Sequence, residues 1–198
     1  LPEKNVLSGL CFIVSYISAP GEITHAGHEP KIIFGEKDNS RTKRIIELEQ
    51  LFTNAGITNL VPEDITLETW KKFLFIASIS ALGGLTRATL GEMRESEYLK
   101  EVILNTGKEI IAVANAKNIK LTTEHLDLVM ETISNLKPET TASTQRDIME
   151  GKPSELENFN GYIVKEGKRL KIPTPVNQFI YECLLPMEKQ ARKQAESH

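Results

Sequence analysis

Between Phe73 and Leu85 the chain carries no charged residue, and only Ser78, Ser80, Gly83 and Gly84 break its apolar character. A membrane span takes about 20 predominantly apolar residues, so this run is too short to cross a bilayer. In water it reads as a helix buried among other elements. Asp64 or Thr66 supplies a cap, which predicts a long helix through Trp70 to about Leu82.

The sequence downstream provides the helices to surround it. Ser96 caps one that runs through Ala116, with Val102, Ile103, Ile110, Ile111 and Ala114 along its apolar side. Thr122 or Thr123 opens another that fades at Asn135, and Pro138 blocks its continuation. Thr141 to Glu150 reads as a helix stopped by Gly151. Pro153 then stands at a favoured first-turn position for a helix through Arg169. Pro173 and Pro175 break the chain before a last helix from Val176 to about Glu196, which Pro186 should kink.

Upstream the texture changes. Val6 to Ile17 reads as a strand, Ser18 to Gly21 as a turn, Glu22 to His25 as a short strand and Lys31 to Phe34 as another. Asn39 or Ser40 caps a helix with Ile45, Leu48, Leu51 and Phe52 at helical spacing, ended by Asn54-Ala55-Gly56. A short strand, Asn59 to Val61, precedes Pro62. The class is therefore mainly α. Residues 1–62 form a β-rich piece too small to close its own sheet, and residues 63–198 form a helical domain.

Charge and cysteine usage exclude several functions. The net charge of -3 leaves no basic field for a nucleic acid or an anionic membrane. Cys11 and Cys183 lie far apart with no CxxC pattern, which speaks against a disulfide scaffold or a zinc site and for a reducing, cytoplasmic setting. His25 and His28 flank Gly27 in a turn with no reinforcing carboxylate or Cys, so no metal site is predicted there. None of the 12 glycines falls in a GxGxxG or P-loop pattern, and GxSxG and HExxH do not occur. The opening Leu-Pro-Glu-Lys has no initiator Met and no signal-peptide pattern, so the chain reads as the later part of something longer.

Two segments carry candidate chemistry. On the apolar helix, Lys72, Ile76 and Ser80 share one face because they are spaced by four. A lysine opening such a helix is expensive to bury unless it pairs or works; its plain alternative is to snorkel to water from the first turn. Further on, Ser143 stands one turn before Asp147, and Glu155 follows the Gly151 break. Ser143 reads equally as an ordinary helix residue, and Glu155 as a carboxylate favouring a helix amino terminus.

Taken together these strings resemble the ketopantoate reductase (2-dehydropantoate 2-reductase) family. The resemblance runs from Pro20-Gly-Glu-Ile-Thr-His-Ala-Gly27 through Trp70-Lys-Lys72 and Gln145-Arg-Asp147-Ile148 to Glu155-Leu-Glu-Asn-Phe-Asn160-Gly161 and Pro175-Val-Asn177. It implies an amino-terminal Rossmann domain followed by a helical domain akin to that of 6-phosphogluconate dehydrogenase. Residues 1–62 would be the end of the NADP-binding domain, and 63–198 the substrate and catalytic domain. The implied reaction is NADPH-dependent reduction of 2-dehydropantoate to (R)-pantoate, toward pantothenate and coenzyme A.

By the same resemblance Lys72 matches the catalytic lysine. Ser143 matches the serine that hydrogen-bonds the substrate carboxylate, and Glu155 the glutamate that reaches the nicotinamide ribose and the lysine. Two further family asparagines are replaced, by Ile76 and Ser80; Ser80 keeps one hydrogen bond for the substrate and Ile76 keeps none. A related small 2-oxo acid therefore stays open as the substrate. A homodimer is implied by the family's habit. With the glycine-rich loop lacking, the chain alone is expected to bind NADPH weakly and to be inactive. Two rival readings stand beside this one: a helical dimerisation module without chemistry, and a hydroxyacid or opine dehydrogenase, against which the Glu155–Gly161 string argues.

Overall fold

The structure, a computed structural model, describes Pro2 and residues 5–197, without the side chains of residues 26–28. His28, paired above with His25, thus lies outside the described side chains. The chain divides into two compact units, Leu1–Thr69 and Trp70–His198.

In the first unit, β1 (Ser8–Ala19) and β2 (Glu22–Gly35) form an antiparallel hairpin, and β3 (Thr58–Leu60) joins β2 in parallel, giving the order β1-β2-β3. Gly21 turns the hairpin at φ +81°, a conformation that the second central position of a Pro-Gly turn requires. Where the sequence predicts two short strands, β2 is one continuous strand. The register slips between Phe12 and Val14, which pair with Lys31 and Ala26, so the turn-like residues 27–30 stand opposite Ile13 as a bulge. α1 (Lys43–Asn54) connects β2 to β3. Its N-cap position is Thr42, not Asn39 or Ser40. Asn39 instead sits at φ +64°, and its Oδ1 accepts the Ile65 N–H at 3.0 Å. Ile33, Phe34 and Ile45 are buried, and Phe34 meets Phe52 edge to face at 5.3 Å. In the far part of the hairpin Phe12, Ile13, Val14, Tyr16, Ile17 and Ile23 are all exposed.

α2 (Ile65–Thr86) begins in the first unit and continues into the second. Asp64 caps it, accepting the Leu67 N–H at 2.9 Å. The second unit continues with α3 (Leu90–Glu95), α4 (Glu97–Ala116), α5 (Thr123–Asn135), α6 (Ser143–Met149), a π-helical turn at Glu157–Gly161 leading into α7 (Tyr162–Leu170), and α8 (Pro175–Glu196). The short α3 is absent from the sequence reading. It is made by a capping box in which the Glu92 N–H donates to Thr89 Oγ1 and the Thr89 N–H to the Glu92 carboxylate at 2.7 Å. α6 begins two residues later than predicted. The expected helix from Pro153 is also corrected: regular structure starts only at Glu157, because Ser154 is bound to a side chain of α8.

Leu74, Ile103, Ile110, Ile133, Ile163 and Ile180, drawn from five helices, are buried at 1% exposure or less. Burying each such side chain contributes roughly 1.5–3 kcal/mol. Gly83 and Gly84 let α2 lie against α6: a Cβ on Gly83 would stand 2.5 Å from Gln145 Oε1, and one on Gly84 2.7 Å from Ile148 Cδ1. Among the described residues no helix is long and apolar enough to cross a membrane.

Candidate functional site

α2 is the element against which the rest of the candidate site is built. Its aromatics Trp70, buried, and Phe73, half-buried, meet the π turn and the start of α7: Phe73 lies 6.1 Å from Phe159 and 6.0 Å from Tyr162, and Trp70 lies 6.2 Å from Tyr162. Below them Asn160, fully buried, donates from Nδ2 to the Ala77 carbonyl at 3.4 Å and to Asn177 Oδ1 at 2.9 Å. Asn177 is held in turn by Glu109 of α4, whose carboxylate accepts the Val176 and Asn177 N–H groups at 2.8 and 2.9 Å. A carboxylate there satisfies the open amides at the start of α8 and suits the positive end of its dipole. The π turn is thus tied to α2 and α8 by hydrogen bonds rather than by apolar packing alone.

Each predicted residue has a definite place. Lys72 lies on α2 next to Phe73 and is half-buried. Ile76, one turn on, is also half-buried. Ser80 is fully buried, and among the described residues its hydroxyl, like that of Ser78, has no hydrogen-bond partner. Ser143 is the first residue of α6 and is exposed. Glu155 is exposed in the link between α6 and the π turn. Its carbonyl accepts the Asn158 and Phe159 N–H groups at 2.9 and 3.1 Å, which starts the turn.

The structure draws the two ends of the second candidate segment together. Thr144, adjacent to Ser143, donates its hydroxyl to Glu155 Oε2 at 3.4 Å. α6 is fixed there by Gln145, whose Nε2 donates to the Ala88 carbonyl at 2.8 Å. The helix of Lys72 meets the same neighbourhood through Phe73 and Phe159. Ser80 is not at a surface. Thr144, Asn160 and Asn177 carry the contacts among the segments, yet sequence reasoning assigned them no role. Two of them stand in strings that were singled out, but an asparagine's partners lie across the fold and leave no local spacing.

An ion cluster and a shifted tyrosine stand on α7 and α8. Glu166 of α7 is buried between Arg169 and Lys117, and their hydrogen bonds at 2.8 and 2.5 Å hold its carboxyl at about 2. Lys117 also lies over the Tyr162 ring at 5.7 Å, so this ion cluster braces the residue that packs on Phe73. Burial and the neighbouring Glu157, which accepts its hydroxyl at 2.7 Å, push Tyr181 up to about 12. Among the described residues no group of three or more His, Cys, Asp and Glu side chains is arranged to hold a metal ion.

Residues 64–188 match the family described as ketopantoate reductase PanE/ApbA C terminal. Over 188 residues the chain is 28% identical to an uncharacterized oxidoreductase, YkpB, of Bacillus subtilis, covering 95% of this chain and 62% of that one. It is 23% identical to a 2-dehydropantoate 2-reductase of Pyrococcus horikoshii, covering 92% and 60%. The chain thus spans about six-tenths of the length of these curated relatives. Among solved structures, a 2-dehydropantoate 2-reductase from Methylococcus capsulatus superimposes with a TM-score of 0.81 at 25% identity, over 93% of this chain and 63% of that one. A D-mandelate dehydrogenase with NADH and anilino(oxo)acetate gives 0.86 at 16% identity, over 97% and 63%, a likeness of fold alone.

Proposed function

This chain belongs to the ketopantoate reductase PanE/ApbA C-terminal family, and on that premise we propose that it is the helical catalytic part of an NADPH-dependent 2-oxo-acid reductase. The substrate of this proposal is 2-dehydropantoate and the product (R)-pantoate. The observation that supports it most is the packing of Phe73, next to Lys72, on Phe159, which brings the helix of Lys72 to the segment that holds Ser143 and Glu155.

The residues divide the work as follows. Lys72 stabilises the negative charge that develops on the ketone oxygen and delivers a proton to it. Ser143, exposed at the start of α6, donates its hydroxyl to the substrate carboxylate. Glu155 fits a ribose: its carboxylate is exposed, and with Oε2 engaged by Thr144 it keeps Oε1 to accept from a sugar hydroxyl. A bound NADPH supplies the hydride. Its phosphates need a glycine-rich loop that this sequence does not contain, so the 198-residue chain by itself binds the dinucleotide weakly. The same reading carries a homodimer in the cytoplasm.

Substrate choice is where Ile76 and Ser80 enter. A half-buried isoleucine and a buried serine stand where the family has asparagines, so fewer polar groups meet the hydroxyl-bearing end of the substrate. A site that hydrogen-bonds a hydroxyl rejects analogues lacking it by large factors, and an apolar wall does not. The test is kcat/KM for 2-dehydropantoate and 2-oxoisovalerate, with NADPH and with NADH, in a protein joining this chain to a Rossmann domain. Turnover of 2-dehydropantoate with NADPH is expected, with a preference over 2-oxoisovalerate that rises in Ile76→Asn. No turnover of either acid sinks the proposal, and an unchanged ratio in Ile76→Asn removes Ile76 from it.

A further inference from the structure

Glu188 of α8 is only 4% exposed. A carboxylate taken out of water at that depth is costly unless donors occupy its oxygens. Here the donors come from a single residue of another segment and from Glu188's own helix. The Ser154 N–H lies 3.1 Å from each carboxylate oxygen, and the Ser154 hydroxyl donates to Oε2 at 2.5 Å. Arg192, one turn further along α8, lies 2.7 Å from Glu188 Oε1 and donates to the Ser154 carbonyl at 2.8 Å. One acid–base pair on α8 therefore takes the N–H, the C=O and the hydroxyl of the same residue.

Ser154 is the residue immediately before Glu155. On the other side, the Leu156 N–H donates to Ser154 Oγ at 3.3 Å, and the Leu156 side chain is fully buried. Glu155 is exposed between two anchored neighbours, with Thr144 at 3.4 Å as a long contact to its carboxylate. A side chain so lightly held takes its direction from its backbone. A fold that merely needed α8 to adhere to this loop would do so at lower desolvation cost with apolar side chains. What the ion-paired arrangement adds is orientation: it fixes both peptide groups of Ser154, and so the path of the chain into Glu155.

We infer that Glu188, acting with Arg192 through Ser154, is a positioning residue that aims the Glu155 carboxylate. This rests on the proposed contact of Glu155 with the cofactor ribose. It goes beyond it by assigning the precision of that contact to a buried pair on the last helix.

A double-mutant cycle in the Rossmann-joined protein tests it, with kcat, the KM for NADPH and Tm measured for Glu155→Ala, Glu188→Ala and the pair. Displacing a contact by about 1 Å costs on the order of 100-fold, so Glu188→Ala is expected to lower kcat/KM for NADPH about 10- to 100-fold. In the Glu155→Ala background the same change should cost less than about threefold, since nothing remains to be aimed. An equal loss in both backgrounds overturns the inference and leaves Glu188 a purely structural residue. Full activity of Glu155→Ala overturns the cofactor reading itself, and the positioning role falls with it. Should Glu188→Ala not fold, Glu188→Gln goes through the same cycle. It keeps an oxygen for the Ser154 amide but loses the ion pair with Arg192, and the same contrast between backgrounds decides.

Discussion

Ile17 and Ile23 face each other across the β1–β2 hairpin with 76% and 77% of their surface in solvent, while Ile103 and Ile110 of α4 have none. Both pairs are regular in backbone and strongly apolar. The difference lies in what each element can reach within its own unit. α4 has α3, α5, α7 and α8 beside it, so its apolar stripe is used up. The hairpin pairs its backbone groups, but the apolar side chains of its far half, Val14, Tyr16, Ile17 and Ile23, are exposed. A ladder satisfies hydrogen bonds without supplying a core, so stability and a fixed side-chain geometry reside in the helical unit, where the candidate site also lies.

Cavity formation breaks this comparison most sharply. Ile110→Ala should destabilise the chain by about 2–5 kcal/mol, whereas Ile17→Ala should stay within about 0.5 kcal/mol, as surface substitutions do. Urea unfolding followed by far-UV circular dichroism measures both. Comparable losses would mean that the hairpin is covered after all.

A smaller effect is expected at the substrate's carboxylate. Ser143→Ala in the Rossmann-joined protein should cost about 1.5–3 kcal/mol of substrate affinity, the range of a hydrogen bond to a charged group, with Tm unchanged because Ser143 is exposed. It should appear as a raised KM at nearly constant kcat. A fall in kcat alone would move Ser143 from binding to the chemical step.

The smallest effect compares two anchored carboxylates, one in each unit. Glu36 is held below the usual range by Arg44 and Thr42, and Glu166 is held at about 2 by Arg169 and Lys117. For a carboxyl depressed in the folded state, the stabilisation is complete above the unfolded value near 4.5 and disappears as the pH falls toward the folded value. Glu166→Gln should therefore cost about 1–2 kcal/mol at neutral pH, the low end for charge-assisted bonds because Arg169 can rehydrate. The gap between parent and variant should close between about pH 4.5 and 2. A gap independent of pH would assign the effect to packing.

The helical unit was also the more legible of the two. The period of Ile103, Ile110 and Ile111 and the cap at Ser96 gave α4 almost to its ends. The hairpin misled because Gly27 and Pro30 look like a break between strands, whereas the register absorbs them opposite Ile13. Lys72, Ser143 and Glu155 could be singled out from residue strings. Thr144 and Glu188 could not, since their roles depend on partners 11 and 34 residues away in sequence. Glu188 and Arg192, spaced by four on a helix, read locally as an ordinary surface pair. Ser80 shows the reverse failure: its spacing from Lys72 is that of one helix face, but the packing around α2 closes over it.

In the proposed function Lys72 of the helical unit carries the chemical step of a 2-oxo-acid reduction. Its most direct test is Lys72→Ala in the Rossmann-joined protein, followed by single-turnover reduction of 2-dehydropantoate and by calorimetric titration with NADPH. The expected rate is lowered roughly 10²- to 10⁴-fold, the usual contribution of a positioned general acid, with NADPH affinity within about threefold of the parent. A variant as fast as the parent, or one whose loss is entirely in NADPH affinity, would contradict it.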